Sequence, residues 1–391
     1  LKDTLTSQSL HYGDLIVFKN AIHDAVAPLN PKEFAYKAYL STKGIGHQCL
    51  LTAADYKIIG SNKGNFILKR SLHIRQVLID KFAIYMHKPE AFQIAVALLF
   101  GYRSELEATT KEAFTKTGTI HILSVSGLHV SLVFGVLSLL LRWLDRFKHG
   151  KMMRCSIVLL FVWVYVILTG MSPAILRAGI MISFFIVSLL SGRRQIAVNT
   201  LLTSALFILL LAPQYLFTVG FQLSYAAILG ILLFYPLLTN LWLPNNKWVK
   251  RIVQYSYVSI AAQIFTLPLT LHYFGQFPIY FLIANLFIGI PSVVVMYLGI
   301  LLTFSPLDSV SKLGGYLLEL ILTFCVDVLR FISQLPLSTY SGIQWDTFQL
   351  ILLYIVFIFL LIASNYRDKR LFYVSLVILL PLNVYTVIKN F

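Results

Sequence analysis

From residue 120 onward the chain is a succession of long apolar runs, each broken by a few polar or turn-forming residues. Runs of roughly 20 apolar residues match a helix that crosses a bilayer. The pattern predicts spans near 120–141, 155–170, 174–191, 196–212, 216–238, 253–272, 279–304, 348–363 and 371–388. The stretch 314–335 differs, because Glu319, Asp327 and Arg330 make it amphipathic and fit either a span or a helix lying in the interface. Before residue 120, residues 1–70 place short β-rich runs at 14–18 and 49–60 between Gly, Asn and Pro turns, the pattern of a partial soluble β domain. Residues 71–118 hold a basic amphipathic helix near 72–87 and an apolar run near 92–101 that is too short to cross a bilayer. The expected organisation is a β domain at 1–70, an amphipathic juxtamembrane region at 71–118 and a membrane domain at 119–391. The fold class is mainly α, a polytopic transmembrane helical bundle.

Composition supports this reading: 58% hydrophobic and 12% charged residues, with mean hydropathy +0.78, exceed what one soluble core of 391 residues hides. A net charge of +16 would point to nucleic acid in a soluble chain, but here the basic residues sit in alternate loops. Arg142, Arg146, Lys148, Lys151 and Arg154 crowd one, Arg193 and Arg194 another, and Lys247, Lys250 and Arg251 a third, whereas 171–173, 212–216 and 272–278 carry none. The positive-inside rule puts the basic loops in the cytoplasm and the N-terminal soluble region outside a plasma (inner) membrane. Arg367, Lys369 and Arg370 obey the rule only if 314–335 spans. Cys49, Cys155 and Cys325 are too widely spaced for a disulfide framework or a CxxC metal site, and no cofactor or metal motif is read. The start at Leu1, without a signal-peptide pattern, reads as a fragment of a longer protein.

Polar residues within the spans carry the candidate chemistry, since an intramembrane polar group is expensive unless paired or wet. On a helix over 120–141, Ser124, Gly127, Ser131 and Gly135 share an arc of about 80°, a small-residue packing stripe, while Ser126 and His129 point elsewhere. In the sixth span Ser256, Ser259, Gln263, Thr266 and Thr270 form one polar face about 80° wide, interrupted by Pro268. Asn285 lies on a polar face of the seventh span and Gln222 on one of the fifth, near Tyr225. Arg177 sits one turn inside the outer surface of the third, where it either snorkels or meets an incoming anion. The candidate lining set is His129, Ser126, Arg177, Gln222, Tyr225, Ser259, Gln263, Thr266 and Asn285.

Several segments in order resemble the ComEC-type DNA-uptake channel family. They are residues 121–130 (HILSVSGLHV), 172–179 with Gly192-Arg193-Arg194, 220–225, 274–278 (FGQFP), and Asn285-Leu286 followed by Ile290-Pro291. Upstream, residues 30–40 (NPKEFAYKAYL) resemble an element of that family's extracellular OB-like domain. The resemblance implies a channel that imports single-stranded DNA across the plasma membrane during natural transformation. It also implies an extracellular DNA-receptor protein and a cytoplasmic ATP-dependent DNA translocase as partners, beside membrane lipid. Family members often carry a metallo-β-lactamase-like domain, but no HxHxDH run occurs here, nor a GxxxxGK[ST] phosphate loop, so a non-enzymatic, passive channel is expected. Two alternatives stay open. The polar faces suit a carrier for a small anion or lipid-linked sugar, and Ser126 with His129 or His272 suits an intramembrane serine hydrolase.

Overall fold

The apolar runs fold as helices, with starts and partners that the hydropathy pattern does not disclose. In a computed structural model, residues 10–366 are described except 20–21, 27–35, 43, 53–54, 62, 193–195 and 344, together with 370–371, 373–375 and 377–378. Arg193, Arg194, Arg367, Lys369, residues 30–35 of the NPKEF element and most of the expected span 371–388 lie outside this set.

The N-terminal region holds β1 (Leu15–Phe18), β2 (His23–Asp24), the short helix α1 (Tyr36–Ser41), β3 (His47–Gln48) and β4 (Tyr56–Gly60). β1 pairs antiparallel with β4, and β2 with β3. Among the described residues these form two separate ribbons rather than a closed OB barrel. The helices that follow are α2 (Phe66–Tyr85), α3 (Pro89–Phe100), α4 (Ala108–Lys116), α5 (Gly127–Leu140), α6 (Gly150–Leu168), α7 (Pro173–Ser191), α8 (Ala197–Leu211), α9 (Val219–Leu241) and α10 (Lys247–Phe274). Strand β5 (Gln276–Pro278), α11 (Phe281–Phe304), α12 (Asp308–Gln334), β6 (Thr339–Ser341) and α13 (Thr347–Tyr366) complete the order. Among the described residues α6, α7, α9, α10 and α11 are long and apolar enough to cross a membrane, and α3, α5, α8 and α13 are shorter apolar helices. The chain is a mainly α, polytopic membrane protein. α9 and α10 approach at Gly230, where a Cβ would lie 2.6 Å from the Ala261 carbonyl oxygen, so the two backbones are in near contact.

The juxtamembrane expectation for 71–118 needs correction at α3. This helix is the centre of the main apolar core, buried from Ile94 through Phe100 and packed with Ile288, Val295 and Leu302 of α11 and Leu318, Leu322 and Leu329 of α12. Because protein rather than lipid surrounds it, it has no need to span: non-crossing segments at membrane depth are tolerated where protein covers them. α2 also joins the bundle, with Lys81 Nζ donating to the Thr303 and Ser305 carbonyls at 3.1 and 3.0 Å and so capping the C-terminal end of α11.

The ambiguous stretch 314–335 lies within α12, whose charges serve α3. Glu319 Oε1 accepts the backbone N–H groups of His87 and of Lys88, the second at 2.8 Å, just where α3 begins with unpaired donors. Arg330 pairs with Glu90 at 2.5 Å, and Glu90 also accepts the Thr110 hydroxyl. Both ends of α12 are fixed. A three-residue connection joins it to α11, and β6 beyond its C-terminal end pairs antiparallel with β5, which leads into α11. α12 therefore returns alongside α11 to the end from which α11 starts. α13 then runs antiparallel to α10, as contacts from His272 to the Trp345 carbonyl and from Tyr354 to the Phe265 carbonyl show.

Candidate functional site

A buried cation, Arg177, lies where α7 meets α5 and α9, with α8 behind them. α5 starts at Gly127, about two turns later than the apolar run suggests. The preceding residues are held in a non-helical loop: Thr119 N–H donates to the Phe114 carbonyl at 2.9 Å, His121 Nδ1 lies 3.1 Å from the Gly118 carbonyl, and Ser124 donates to the His121 carbonyl at 3.0 Å. His121 and Ser124 are thus loop residues, not members of a helical face. Ser126 is the N-cap of α5. Its N–H donates to His129 Nδ1 at 2.8 Å and its hydroxyl lies 3.1 Å from the same nitrogen, so the pair closes a helix cap. Ser126 and His129, candidates for a lining face, are thus bonded to each other. That bonding weakens the hydrolase alternative, because the Nδ1 lone pair that a serine would need is already taken by a backbone donor. His272 bonds instead to the Trp345 carbonyl at 2.9 Å. With Nδ1 accepting, the His129 proton sits on Nε2, and that donor is buried, on a residue 2% exposed, without a partner among the described residues.

α7 opens with Ser172 as N-cap and Pro173 at the first helical position, a geometry that fixes where its next turn points. Arg177 lies on that turn, only 6% exposed, with Nε and Nη1 lacking any hydrogen-bond partner among the described residues. Its guanidinium stands over the Tyr225 ring of α9, 5.5 Å from the centroid. Tyr225 is fixed in turn: its hydroxyl lies 2.9 Å from Ser204 Oγ of α8, a wholly buried residue, and its ring packs on Phe221 at 4.4 Å. Gly127 lets α5 approach, since a Cβ there would be 3.4 Å from Arg177 Nη2 and 3.5 Å from Ala178 Cβ. No carboxylate pairs with Arg177 among the described residues. A cation over an aromatic face recovers about 2 kcal/mol when desolvated, while removing a guanidinium from water costs several kcal/mol even after relaxation. The site is therefore short of negative charge.

The other expected lining residues do not join it. Gln222 donates to the Leu216 carbonyl at 2.9 Å and accepts from the Tyr273 hydroxyl at 2.8 Å, a tie between α9 and α10. On α10, Ala261 faces α9 at Gly230, so Ser259, Gln263 and Thr266, roughly 140–200° around the helix, face away from α9. All three are half-buried, and Thr266 returns its hydroxyl to the Ala262 carbonyl at 3.0 Å. Tyr255 donates to the Asn285 backbone carbonyl at 3.3 Å while the Asn285 Oδ1 is buried without a partner among the described residues. Tyr255 lies about five turns before the end of α10 and Asn285 about one turn into α11, so these helices cross rather than run side by side. Of the small-residue stripe, Gly127 meets α7, whereas Ser131 is exposed with its hydroxyl on the Gly127 carbonyl at 2.9 Å and Gly135 has open space beside it among the described residues. Two small pockets, of about 10 and 50 Å³, touch none of the lining set. Sequence reading missed Ser204, which looked like one more hydroxyl in an apolar helix and whose role depends on a tyrosine 21 residues away.

A family profile described as Competence protein matches residues 98–367, a stretch that contains the whole Arg177 cluster. The chain belongs to the competence protein family. Among curated competence relatives it is 31% identical over 251 residues to ComE operon protein 3 of Bacillus subtilis, covering 64% of this chain and 30% of that protein. It is 27% identical over 207 residues to Recombination protein 2 of Haemophilus influenzae, covering 51% and 26%. An uncharacterized protein of Aquifex aeolicus is 35% identical over 167 residues, 42% of this chain and 39% of that one. The competence chain thus spans between 26% and 39% of these relatives' lengths. No solved structure matches it.

Proposed function

We propose that this competence-family chain forms the membrane conduit through which single-stranded DNA is imported during natural transformation. The supporting observation is a buried guanidinium with no countercharge among the described residues, set in an apolar bundle of a competence-family protein. A polyanion is the ligand such a bundle lacks. In this reading the basic loops face the cytoplasm, the N-terminal region lies outside the plasma membrane, and Arg177 stands near the outer mouth. Gln263, Thr266, Ser259 and Asn285 supply polar walls farther along, and Tyr225 supports Arg177 from beneath.

An inside-negative potential opposes each phosphate by about 2.3 kcal/mol per 100 mV over the full field. The conduit is therefore passive, with a cytoplasmic ATP-dependent translocase pulling the strand and an extracellular receptor delivering it. Uptake of labelled DNA into cells lacking the gene tests the reading when they are complemented with the full-length protein. The wild type restores uptake, while Gln263→Leu with Thr266→Leu abolishes it at unchanged membrane abundance. Normal uptake by that double variant removes α10 from the path.

A further inference from the structure

The unpaired groups around Arg177 have one property in common: all are donors. Nε and Nη1 of Arg177 are buried without a partner among the described residues, and the first N–H groups of α5, at Gly127 and Leu128, have no backbone acceptor among them. The guanidinium lies against that helix start, with Nη2 3.4 Å from the Gly127 Cβ position. A cation and the positive end of a 14-residue helix repel each other unless an anion lies between them. Every neighbour that fixes the guanidinium does so without supplying negative charge: the Tyr225 ring beneath it, the Ser204 hydroxyl behind Tyr225, and the side-chain-free Gly127 beside it.

We propose that Arg177 and the N-terminal turn of α5 form a binding site for one phosphodiester monoanion. The guanidinium edge and the Gly127 and Leu128 N–H groups are its donors, and Tyr225 with Ser204 position Arg177. Assigning that phosphodiester to the DNA strand rests on the conduit reading above. The same chemistry is found in the headgroup of an anionic lipid, and the test separates the two.

The full chain is purified in a maltoside detergent, which contains no phosphate, and melted at constant ionic strength in chloride or inorganic phosphate. Binding of a fluorescein-labelled oligothymidylate is followed by anisotropy in the same detergent, with and without added phosphatidylglycerol. Phosphate should raise the wild-type midpoint and leave that of Arg177→Gln unmoved. Oligothymidylate binding should weaken about tenfold or more in the variant, and its salt slope should fall by about 0.7, the value for one phosphate contact on a single strand. Arg177→Lys should recover most of that slope. Gly127→Val, which keeps the cation but fills its approach, should lose the phosphate response even where Arg177→Gln folds poorly. A phosphate shift equal in the wild type and both variants overturns the site. A shift lost in the variants while oligothymidylate binding is unchanged supports the site and overturns the conduit reading. Competition by phosphatidylglycerol in that case assigns the site to lipid.

Discussion

Two truncations of Tyr225 separate the ways in which it holds Arg177. Tyr225→Phe removes only the hydroxyl that meets Ser204, 2.9 Å away, and should cost about 1 kcal/mol in chemical unfolding in detergent, the net worth of an ordinary hydrogen bond. Tyr225→Leu also removes the ring beneath the guanidinium and should cost ~2 kcal/mol more. Equal losses in the two variants would mean that the ring does not support Arg177. At α12, Glu319→Ala removes the acceptor of the His87 and Lys88 N–H groups at the start of α3 and should destabilise by about 1 kcal/mol, the usual cost of a lost helix cap. Glu319→Gln retains an acceptor oxygen and should lose less. Arg177 itself was legible in the sequence, because a lone cation one turn into an apolar run stands out. Its partners were not: Tyr225, Ser204 and Gly127 are each ordinary in their own segments and become a site only through packing.

At the scale of elements, hydropathy located the long helices and misjudged those whose surroundings are protein. α3 reads as too short to cross a bilayer, but length is a criterion for contact with lipid on both sides, and α3 contacts α11 and α12 instead. The start of α5 was misplaced because residues 120–126 are as apolar as the helix they precede, while the Ser126 and His129 cap that sets the boundary resembled a catalytic pair. Phase along a helix was legible, so Ser259, Gln263 and Thr266 do share a side of α10, but which neighbour that side meets was not. The α9 and α10 contact gives the sharpest element-level prediction. Gly230→Leu places a side chain where the Ala261 carbonyl and Phe265 already lie, and should lower stability by about 3 kcal/mol or more or scatter the protein on size-exclusion chromatography. Gly135→Leu, where nothing lies close among the described residues, should be tolerated in the same assay.

For the whole molecule, the decisive element is α12. Its charges made the number of crossings ambiguous, since a helix with Glu319, Asp327 and Arg330 reads equally well as interfacial. Two of those charges turn out to be spent on α3 and its neighbours, 231 and 240 residues away in sequence, a separation at which no local pattern carries information. A crossing α12 predicts opposite labelling from the two sides. With Cys49, Cys155 and Cys325 replaced, Ser305→Cys and Leu337→Cys should react with an impermeant maleimide from opposite faces of the membrane. Labelling of both from one face would return α12 to the interface and reverse α13.

A lone fixed cation also has a mechanical meaning for a repeating ligand. A strand of evenly spaced, identical charges drawn past Arg177 would meet a periodic potential: each repeat that leaves is replaced by one of the same energy, so an advance of one nucleotide changes nothing in that contact. Such a contact can set the step length and hold the strand between steps. It cannot favour inward over outward travel, and direction must be imposed by whatever pulls on the end.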